Sequence, residues 1–474
     1  MIKTTIPWVN PYLDLPKKLY ALVDPSPVTE PKIKLMNKDL IIQLGLNIEA
    51  DEVTGFLAGN HLKEGDRPMA QAYGGHQFGH FNILGDGRAI LLGQFRDPDQ
   101  GLWNLQLKGA GPTPYSRRGD GRGTLSSMYR EYLISEAMFH LGIPTTRSLA
   151  VIGTGDLVRR TQYEPGGILC RLSQSYVRVG TFQYAAVHGL DHVKALADYM
   201  IHHHFKDLDP SLNPYEALFQ SVLDRQAHLI ASWQALGFIH GVMNTDNMSV
   251  IGETIDYGPC AFMDDYHPNT VFSAIDTQGR YAYKNQPNMA LWNLSRLVEC
   301  LYPLFEGDKE EQIKKANDLM DTFGPAYNKA YYEKMSKKIG LKASHPGDMS
   351  LIQRLLSLMV DHKLDYTNTF MVLSSSPQSL PAVLADWTQD WLKRLEEEHS
   401  YDQAKGIMQV HNPWIIPRNH QVDLALREAV SGNTDPLDDL NKALQAPYDY
   451  KKLQTKYTQA PRPHERVLKT YCNT

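Results

Sequence analysis

Cysteine is scarce in this chain of 474 residues, which contains only Cys170, Cys260, Cys300 and Cys472. The four residues are scattered, and the sequence contains no CxxC pair of the kind that binds zinc or exchanges disulfides. A disulfide-stabilised extracellular scaffold is therefore excluded. Sparse, unpaired cysteine is typical of a reducing compartment, and the sequence predicts a cytoplasmic protein.

Long apolar runs and a strong charge of one sign are also absent. No segment reaches membrane-spanning length, and the N-terminal stretch MIKTTIPWVNPYLDLPKKLY lacks the apolar core of a signal peptide. The net charge of -5 at pH 7 provides no bulk attraction to nucleic acid. At 474 residues the chain is long enough for two or three lobes, each with a sizeable core. Its hydrophobic fraction of 42% is normal for a globular protein. We therefore expect neither a membrane nor a nucleic-acid partner, and a monomer is the default.

The order of predicted elements indicates an α+β protein with three regions. Residues 1–70 are punctuated by proline and predict an N-terminal extension that wraps the body. Residues 71–185 contain short strands between glycine-rich turns, including AILLGQF, WNLQLKG, SLAVIG, DLVRRTQY and GILCRLS, with one clear helix over 125–140. Residues 186–474 are mainly helical, with an amphipathic helix over 213–238. A small β-rich lobe followed by a larger helical lobe, with a cleft between them, is the natural architecture.

The run FIHGVMNTDNMSVIGETIDYGP carries the clearest chemical signal. Asn247 and Asp256 are joined by a predicted β-hairpin around 248–256, which is how kinase-like folds hold the Mg²⁺ that bridges nucleotide phosphates. Val242 stands where phosphotransferases of this shape place the catalytic Asp. Asp246, beside the metal ligand, is a candidate base, and a loop-capping role is its alternative. The pattern predicts a protein that uses a nucleotide but whose chemistry differs from that of an ordinary phosphotransferase.

Two glycine-rich turns are candidates for close contact with phosphates. The first is Gly85-Asp86-Gly87-Arg88, where glycine allows the backbone to approach a phosphate and Arg88 adds a cation. The second lies in the basic loop over 117–122, which contains Asp120 and Gly121. An ordinary hairpin turn and a solvated basic loop are the respective alternatives.

A lysine and a glutamate in the front half are predicted to pair. Lys108 ends a strand in which apolar and polar residues alternate, and it can reach into a cleft as a point charge for phosphate. Glu131 lies among apolar residues on the next helix and needs a cation. Kinases use such a pair to orient the lysine. A surface pairing of Glu131 with Arg130 is the alternative, as is Glu136 in place of Glu131.

Two arginines of the front half do not belong in an ordinary kinase cleft. Arg171 and Arg178 flank the segment LSQSYV, and together they can clamp a phosphate chain bidentately. Taken singly, each fits a surface role. They become candidate site residues because they lie beside the other candidate groups in the sequence.

Several motifs together resemble the selenoprotein O family, whose bacterial members are also known as YdiU or UPF0061 proteins. The motifs are QAYGGHQFGHF, LGDGRAILLG, LQLKGAGPTPYSRRGDGRG, REYLISEAM, GIPTTRSLAV, HGVMNTDNM, IDYGPCAFMD and WNLSRL. The similarity is specific between about residues 70 and 300 and extends over nearly the whole chain.

This resemblance implies a pseudokinase-like fold that binds ATP in a flipped orientation. It implies transfer of AMP, with release of pyrophosphate, to Ser, Thr or Tyr hydroxyls of acceptor proteins. The residues expected to bind the nucleotide are Gly85, Gly87, Arg88, Lys108, Asp120, Gly121, Arg171 and Arg178, with Glu131 and Asp256 completing the set. Asn247 and Asp256 are expected to hold Mg²⁺ or Mn²⁺, and Asp246 is expected to accept the proton.

Other functions stay open at this point. They are UMP transfer from UTP by the same site, a phosphotransferase with Asp246 as its base, and a non-catalytic ATP-binding scaffold. One feature departs from the family pattern, in which a cysteine or selenocysteine pair lies near the C-terminus. Cys472 has no cysteine three residues before it, so we expect an unpaired thiol, with a bond to Cys260 or another cysteine as the alternative if the tail folds back.

Overall fold

The computed structural model describes residues 6–47, 50–63, 65–77, 79–342, 345 and 347–471. Cys472, for which an unpaired thiol or a bond to Cys260 was considered, lies outside these residues. The other three cysteines are buried free thiols. None of the helices in the described ranges combines the length and the apolar character needed to cross a membrane.

Strands are concentrated in the first part of the chain. They are β1 Tyr20–Leu22, β2 Lys32–Met36, β3 Met69–Gln71, β4 Gly74–Gln77, β5 His80–Ile83, β6 Ala89–Arg96, β7 Leu102–Lys108, β8 Gly123–Thr124, β9 Arg147–Arg159, β10 Tyr163–Ser173, β11 Phe238–Ile239 and β12 Ala261–Phe262.

Helices dominate the remainder. They are α1 Lys38–Gln43, α2 Ala50–Leu57, α3 Leu125–His140, α4 Val179–His188, α5 Leu190–His204, α6 Pro214–Leu236, α7 Gln286–Leu301, α8 Lys309–Asp321, α9 Phe323–Lys338, α10 Asp348–Asp361, α11 Tyr366–Ser375, α12 Ala385–Glu396, α13 Tyr401–Gln409, α14 Asn419–Ser431, α15 Asp435–Leu444 and α16 Thr455–Thr458. The protein is therefore a mixed α/β structure with a sheet-rich N-terminal part and a helical C-terminal part.

The main sheet is antiparallel and has the strand order β1-β3-β6-β7-β10-β9-β2, with β8 paired to β10. The segment before β3 supplies both edge strands, β1 and β2. One face of the sheet packs on α1 and α2 through a buried apolar cluster. Helix α3 packs against β9 and β10. The central strands β7 and β10 place Gln106 opposite Arg171.

Helix boundaries follow the local signals in the sequence. Helix α3 spans the predicted residues 125–140, and the Thr124 side chain accepts a hydrogen bond from the backbone N–H of Ser127. Helix α6 begins after Asn213, whose side chain caps the first turn, and ends at Gly237, which adopts φ +70°. The predicted helix over 213–238 is thus confirmed to within two residues at each end.

Two strand predictions were wrong in detail. The segments SLAVIG and DLVRRTQY were expected to form separate strands, but β9 runs through both as far as Arg159. The predicted hairpin around 248–256 does not form, because these residues pair with other segments. Ser249 bridges to Arg178, and Thr254 bridges to Thr145. The strands that pair in this region are instead β11 and β12. Their pairing brings together the two ends of the loop that connects them.

Candidate active site

A cavity of about 700 Å³ lies where β6, β7 and β10 meet α3 and the loop between β11 and β12. All of the residues predicted from the sequence line it. They are Gly85, Gly87, Arg88, Lys108, Asp120, Gly121, Glu131, Arg171, Arg178, Asp246, Asn247 and Asp256. Segments that are far apart in the chain thus converge on one cavity.

The predicted ion pair between Lys108 and Glu131 is present. Lys108 Nζ lies 2.6 Å from Glu131 Oε2, and the two side chains are 8% and 6% exposed. The alternative partner, Arg130, instead donates to the carbonyl oxygen of Cys260 at 2.6 Å. Glu136 pairs with Arg147 at 2.8 Å on another face of α3. A buried carboxylate and a buried ammonium satisfy each other at the end of β7.

Asp256 is the common partner of three cations. Its Oδ1 lies 2.9 Å from Lys108 Nζ and 2.7 Å from Arg171 Nη1. Its Oδ2 lies 3.5 Å from Arg178 Nη1. Burial disfavours the ionised carboxylate, but the three cations outweigh burial and hold the pKa of Asp256 well below its usual range. Asp256 is therefore ionised at neutral pH.

The two arginines are buried rather than exposed on the surface, and each has several partners. Arg171 Nη1 donates to Glu131 Oε1 at 3.0 Å, in addition to its contact with Asp256. Arg178 Nη1 donates to the backbone carbonyl oxygen of Asp246 at 3.1 Å, and its guanidinium lies 4.3 Å from the centre of the Tyr73 ring. The surface role considered for each arginine is therefore wrong.

The first glycine turn packs tightly against a neighbouring loop. A Cβ at Gly85, where φ is +141°, would lie 2.4 Å from the ring of Tyr115. A Cβ at Gly87 would lie 3.1 Å from the carbonyl oxygen of Tyr115. The turn connects β5 to β6, which belong to different sheets, so it is not a hairpin turn. Glycine is needed at Gly85 because both its φ and its surroundings exclude a side chain.

The second glycine turn is held by specific contacts. Asp120 pairs with Arg160 at 2.8 Å and accepts the backbone N–H of Arg122 at 2.9 Å. A Cβ at Gly121, where φ is +66°, would lie 2.0 Å from the carbonyl oxygen of Gly111. The loop therefore has a defined shape at the rim of the cavity, unlike a merely solvated basic loop.

Asp246 and Asn247 belong to a single 3₁₀ turn, Thr245–Asn247. The Asn247 amide nitrogen donates to the Val242 carbonyl oxygen at 3.2 Å, which leaves the amide oxygen as an acceptor. Asp246 is 8% exposed, and its Oδ1 has no hydrogen-bond partner among the described residues. Burial raises the pKa of Asp246 to about 6. The Asp246 Oδ1 atom can therefore accept a hydrogen bond or a proton from a bound ligand.

This loop carries oxygen-bearing side chains of the type that a hard divalent cation prefers. Oxygen atoms of Asp246, Asn247 and Asp256 line the same cavity, and Mg²⁺ and Mn²⁺ prefer such oxygen ligands. Within the described residues, no group of three or more His, Cys, Asp or Glu side chains is arranged as a metal site. A cation here would therefore rely on the Asn247 amide and on nucleotide phosphates as well as on carboxylates.

Two features of the site were missed in the sequence. Asp86 was considered only as part of a turn, yet it is buried and faces Arg178 at 3.7 Å. Burial raises the pKa of Asp86, against the opposing effect of Arg178 and Arg171. The C-terminal segment also lines the cavity, with Val467, Lys469, Thr470 and Tyr471. A carboxylate between two glycines was a usable signal, whereas the terminal segment carries no motif.

The C-terminal segment is held by backbone hydrogen bonds. The N–H of Thr470 donates to the carbonyl oxygen of Phe272 at 2.8 Å, and the carbonyl oxygen of Thr470 accepts the N–H of Ala274 at 3.0 Å. These bonds form a parallel bridge between Thr470 and Ser273. Such pairing depends on the folded positions of both segments and leaves no local trace in the sequence.

Comparison with known proteins identifies the family and the relatives that the chain resembles. A family model described as "Protein adenylyltransferase SelO" matches residues 4–445. The chain is similar to a protein named protein nucleotidyltransferase YdiU from Bacillus mycoides (strain KBAB4), with 50% identity covering 98% of this chain and 97% of that protein. It is also similar to the protein of the same name from Bacillus thuringiensis (strain Al Hakam), with 49% identity covering 98% of each chain.

Proposed function

The chain belongs to the SelO protein adenylyltransferase family and is a nucleotidyltransferase, and from this premise we propose that it transfers AMP from ATP to protein hydroxyl groups. The acceptors are Ser, Thr or Tyr side chains, and pyrophosphate is released. In the proposed architecture, which is of the protein-kinase type, residues 71–185 form the nucleotide-binding lobe and residues 186–474 the helical lobe. Residues 1–70 are an extension of the first lobe.

One observation carries this proposal: Lys108, Arg171 and Arg178 converge within 3.5 Å of one carboxylate, while Asp246 is attached to the same cluster. The attachment is the hydrogen bond from Arg178 to the Asp246 carbonyl oxygen. Three cations favour a chain of several phosphates rather than a single one. Asp246 lies next to these cations, whereas Val242 occupies the position where kinases have their base. This arrangement favours attack of the acceptor hydroxyl on the phosphate nearest the nucleoside.

In the proposed reaction the acceptor hydroxyl oxygen forms a bond to the α-phosphorus. The bond between the α-phosphorus and the oxygen that bridges to the β-phosphate breaks, and pyrophosphate leaves. Asp246 takes the hydroxyl proton. Its pKa of about 6 leaves it ionised at neutral pH and makes it a stronger base than an ordinary carboxylate.

The remaining residues bind and neutralise the nucleotide. Lys108, Arg171 and Arg178 balance the negative charge that accumulates on the leaving pyrophosphate. Asn247 and Asp256 would hold Mg²⁺ or Mn²⁺, which supplies further positive charge to the phosphates when it is bound. The glycine turns at Gly85 and Gly121 would bring backbone N–H groups close to the phosphates.

Parallel incubation of the protein and an acceptor mixture with α-³²P-ATP and with γ-³²P-ATP tests the reaction. Protein-bound label from the α position alone is the expected result, and Asp246→Asn should abolish it. Label from the γ position alone would establish a phosphotransferase and overturn the proposal. The absence of label from either nucleotide, with ATP binding retained, would favour a binding scaffold.

The identity of the nucleotide needs its own measurement. The residues around the cavity recognise phosphates, and UMP transfer from UTP uses the same groups. Competition of unlabelled UTP against α-³²P-ATP, with Mg²⁺ and with Mn²⁺, separates the two activities. The proposal expects ATP to be preferred; displacement of label by a much lower concentration of UTP than of ATP would reassign the enzyme to UMP transfer.

A further inference from the structure

Five side chains form a closed ring at the cavity, which four of them line, while Gln106 lies behind it. Asp256 is 20% exposed, and the other four are buried. Asp256 Oδ1 accepts from Arg171 Nη1 at 2.7 Å, and Arg171 Nε donates to Gln106 Oε1 at 2.8 Å. Gln106 Nε2 then donates to Asp86 Oδ2 at 3.0 Å, and Asp86 Oδ1 lies 3.7 Å from Arg178 Nη2. Arg178 Nη1, 3.5 Å from Asp256 Oδ2, closes the ring. Each arginine is therefore held from two sides.

We propose that Asp86 and Gln106 are positioning residues that set the spacing and orientation of the Arg171 and Arg178 guanidinium groups for a chain of phosphates. This inference rests on the proposed function, which assigns the outer phosphates of the nucleotide to these arginines. Neither Asp86 nor Gln106 needs to touch the nucleotide. Gln106 is completely buried, and Asp86 is 2% exposed.

The sheet explains how the two residues reach the arginines. Gln106 on β7 stands directly opposite Arg171 on β10, so the side-chain contact follows from the strand register. Asp86 lies in the glycine turn before β6, and its Oδ2 also accepts the backbone N–H of Gln71 on β3 at 3.2 Å. The ring is thus attached to three strands of one sheet.

The chemistry of Asp86 favours a positioning role over a stabilising one. A buried carboxylate loses its hydration, and an ion pair at 3.7 Å with Arg178 recovers only part of that loss. Burial accordingly raises the pKa of Asp86. Arginine is long and flexible, and a fixed guanidinium forms bidentate bonds to phosphate that a mobile one cannot form as often. What the Asp86 carboxylate supplies is therefore a fixed orientation for Arg178 rather than stability.

Isosteric and apolar substitutions separate a role in positioning the arginines from a role in stabilising the fold. In the full-length protein, Asp86→Asn removes the charge that faces Arg178, and Gln106→Leu removes both bonds of the amide. Gln94→Leu is the matched control, because Gln94 is a completely buried glutamine of the same sheet that bonds to Asn104 and Tyr199 instead. If Gln106→Leu does not fold, Gln106→Asn keeps a polar side chain that is too short to bridge Arg171 and Asp86.

Binding of inorganic tripolyphosphate and of adenosine is then measured for each variant by calorimetry. We expect Asp86→Asn and Gln106→Leu each to weaken tripolyphosphate binding by about tenfold or more, with adenosine binding unchanged. The double variant should lose little more than the worse single variant, since both act through one ring. Gln94→Leu should lower the melting temperature and leave both affinities unchanged.

Two results would overturn the inference. One is unchanged tripolyphosphate affinity in a folded Asp86 or Gln106 variant. The other is an equal loss of adenosine affinity, which would indicate general damage to the fold. Failure of the proposed function is distinct from either, because it appears in the wild-type protein as an absence of label transfer from α-³²P-ATP, whatever the variants bind.

Discussion

The Lys108 ammonium lies 2.6 Å from a carboxylate oxygen of Glu131, and the same ammonium lies 2.9 Å from Asp256. Lys108 ends a central strand, Glu131 lies on α3, and Asp256 lies in the loop between β11 and β12. A single side chain thus joins the sheet, the helix and the loop of the helical part. Substitution of Glu131 or Asp256 is therefore expected to change the turnover of ATP through Lys108.

Glu131→Gln is predicted to lower kcat/KM for ATP by about tenfold to a hundredfold, because the neutral amide no longer fixes the ammonium in place. Steady-state label transfer measures the effect. Glu136→Gln is the matched control on the same helix: it breaks the buried pair with Arg147 and should lower the melting temperature, with kcat/KM per folded molecule unchanged. An equal loss of activity in both variants would contradict the role given to Glu131.

Gly75→Ala is predicted to reduce kcat with little loss of stability. A Cβ at Gly75 would lie 2.4 Å from Asp246 Oδ1 and 2.7 Å from Leu84 Cδ1, so the carboxylate must move. Displacement of Asp246, the proposed base, is expected to cost roughly tenfold to a hundredfold in kcat. Label transfer at saturating ATP and acceptor measures it. In the control variant Gly324→Ala on α9, the added Cβ meets no described atom within 4 Å, and kcat should be unchanged. A wild-type kcat in Gly75→Ala would show that the added methyl group does not displace the Asp246 carboxylate.

Asp256→Ala should reduce the free energy of unfolding by roughly 3 kcal/mol, since it leaves buried cations without their shared partner. Added tripolyphosphate should raise the melting temperature of this variant more than that of the wild type, because it replaces the missing negative charge. Differential scanning fluorimetry tests both effects. Asp265→Ala breaks a more exposed pair with Arg466 and should cost less than about 1 kcal/mol. Similar losses in the two variants would show that the cation cluster does not depend on Asp256.

Lys338→Met is predicted to stabilise the protein in a pH-dependent way. Lys338 is 3% exposed, its ammonium lies 4.2 Å from the centre of the Phe370 ring, and burial lowers its pKa to about 7. The unfolded chain, with a lysine pKa of about 10.4, binds more protons between pH 7 and 10, so wild-type stability rises with pH in that range. The gain from methionine should therefore be largest at and below pH 7, at roughly 4 kcal/mol, and should shrink towards pH 10.

Urea unfolding of Lys338→Met and of the wild type at pH 6 and at pH 9 measures this gain. The exposed neighbour supplies the control, since Lys337→Met should change stability little at either pH. A gain that is equal at the two pH values would mean that the Lys338 amine does not change its protonation state on folding in this range.

Local sequence signals were sufficient for several elements. One helix was predicted over the 125–140 segment that α3 occupies, and alternation predicted the strand that ends at Lys108. These features depend on residues a few positions apart, so they can be read without the fold. The failed hairpin around 248–256 shows the limit: a short run with strand character has no local means of choosing its partner, and here Arg178 and Thr145 were closer in the folded chain.

Motif and residue type predicted most of the charged side chains that line the cavity, with Asp86 and the C-terminal segment as exceptions, because a charged group beside a glycine turn or at a strand end needs a partner or a ligand. Only the tertiary structure decided how they combine. Lys108 and Asp256 are separated by 148 positions, and Arg171 and Glu131 by 40, so their contacts arise from the packing of the sheet on α3 and on the loop after α6. The role of Asp86 and the presence of the C-terminal segment at the cavity likewise follow from packing over the whole chain, which no local pattern encodes.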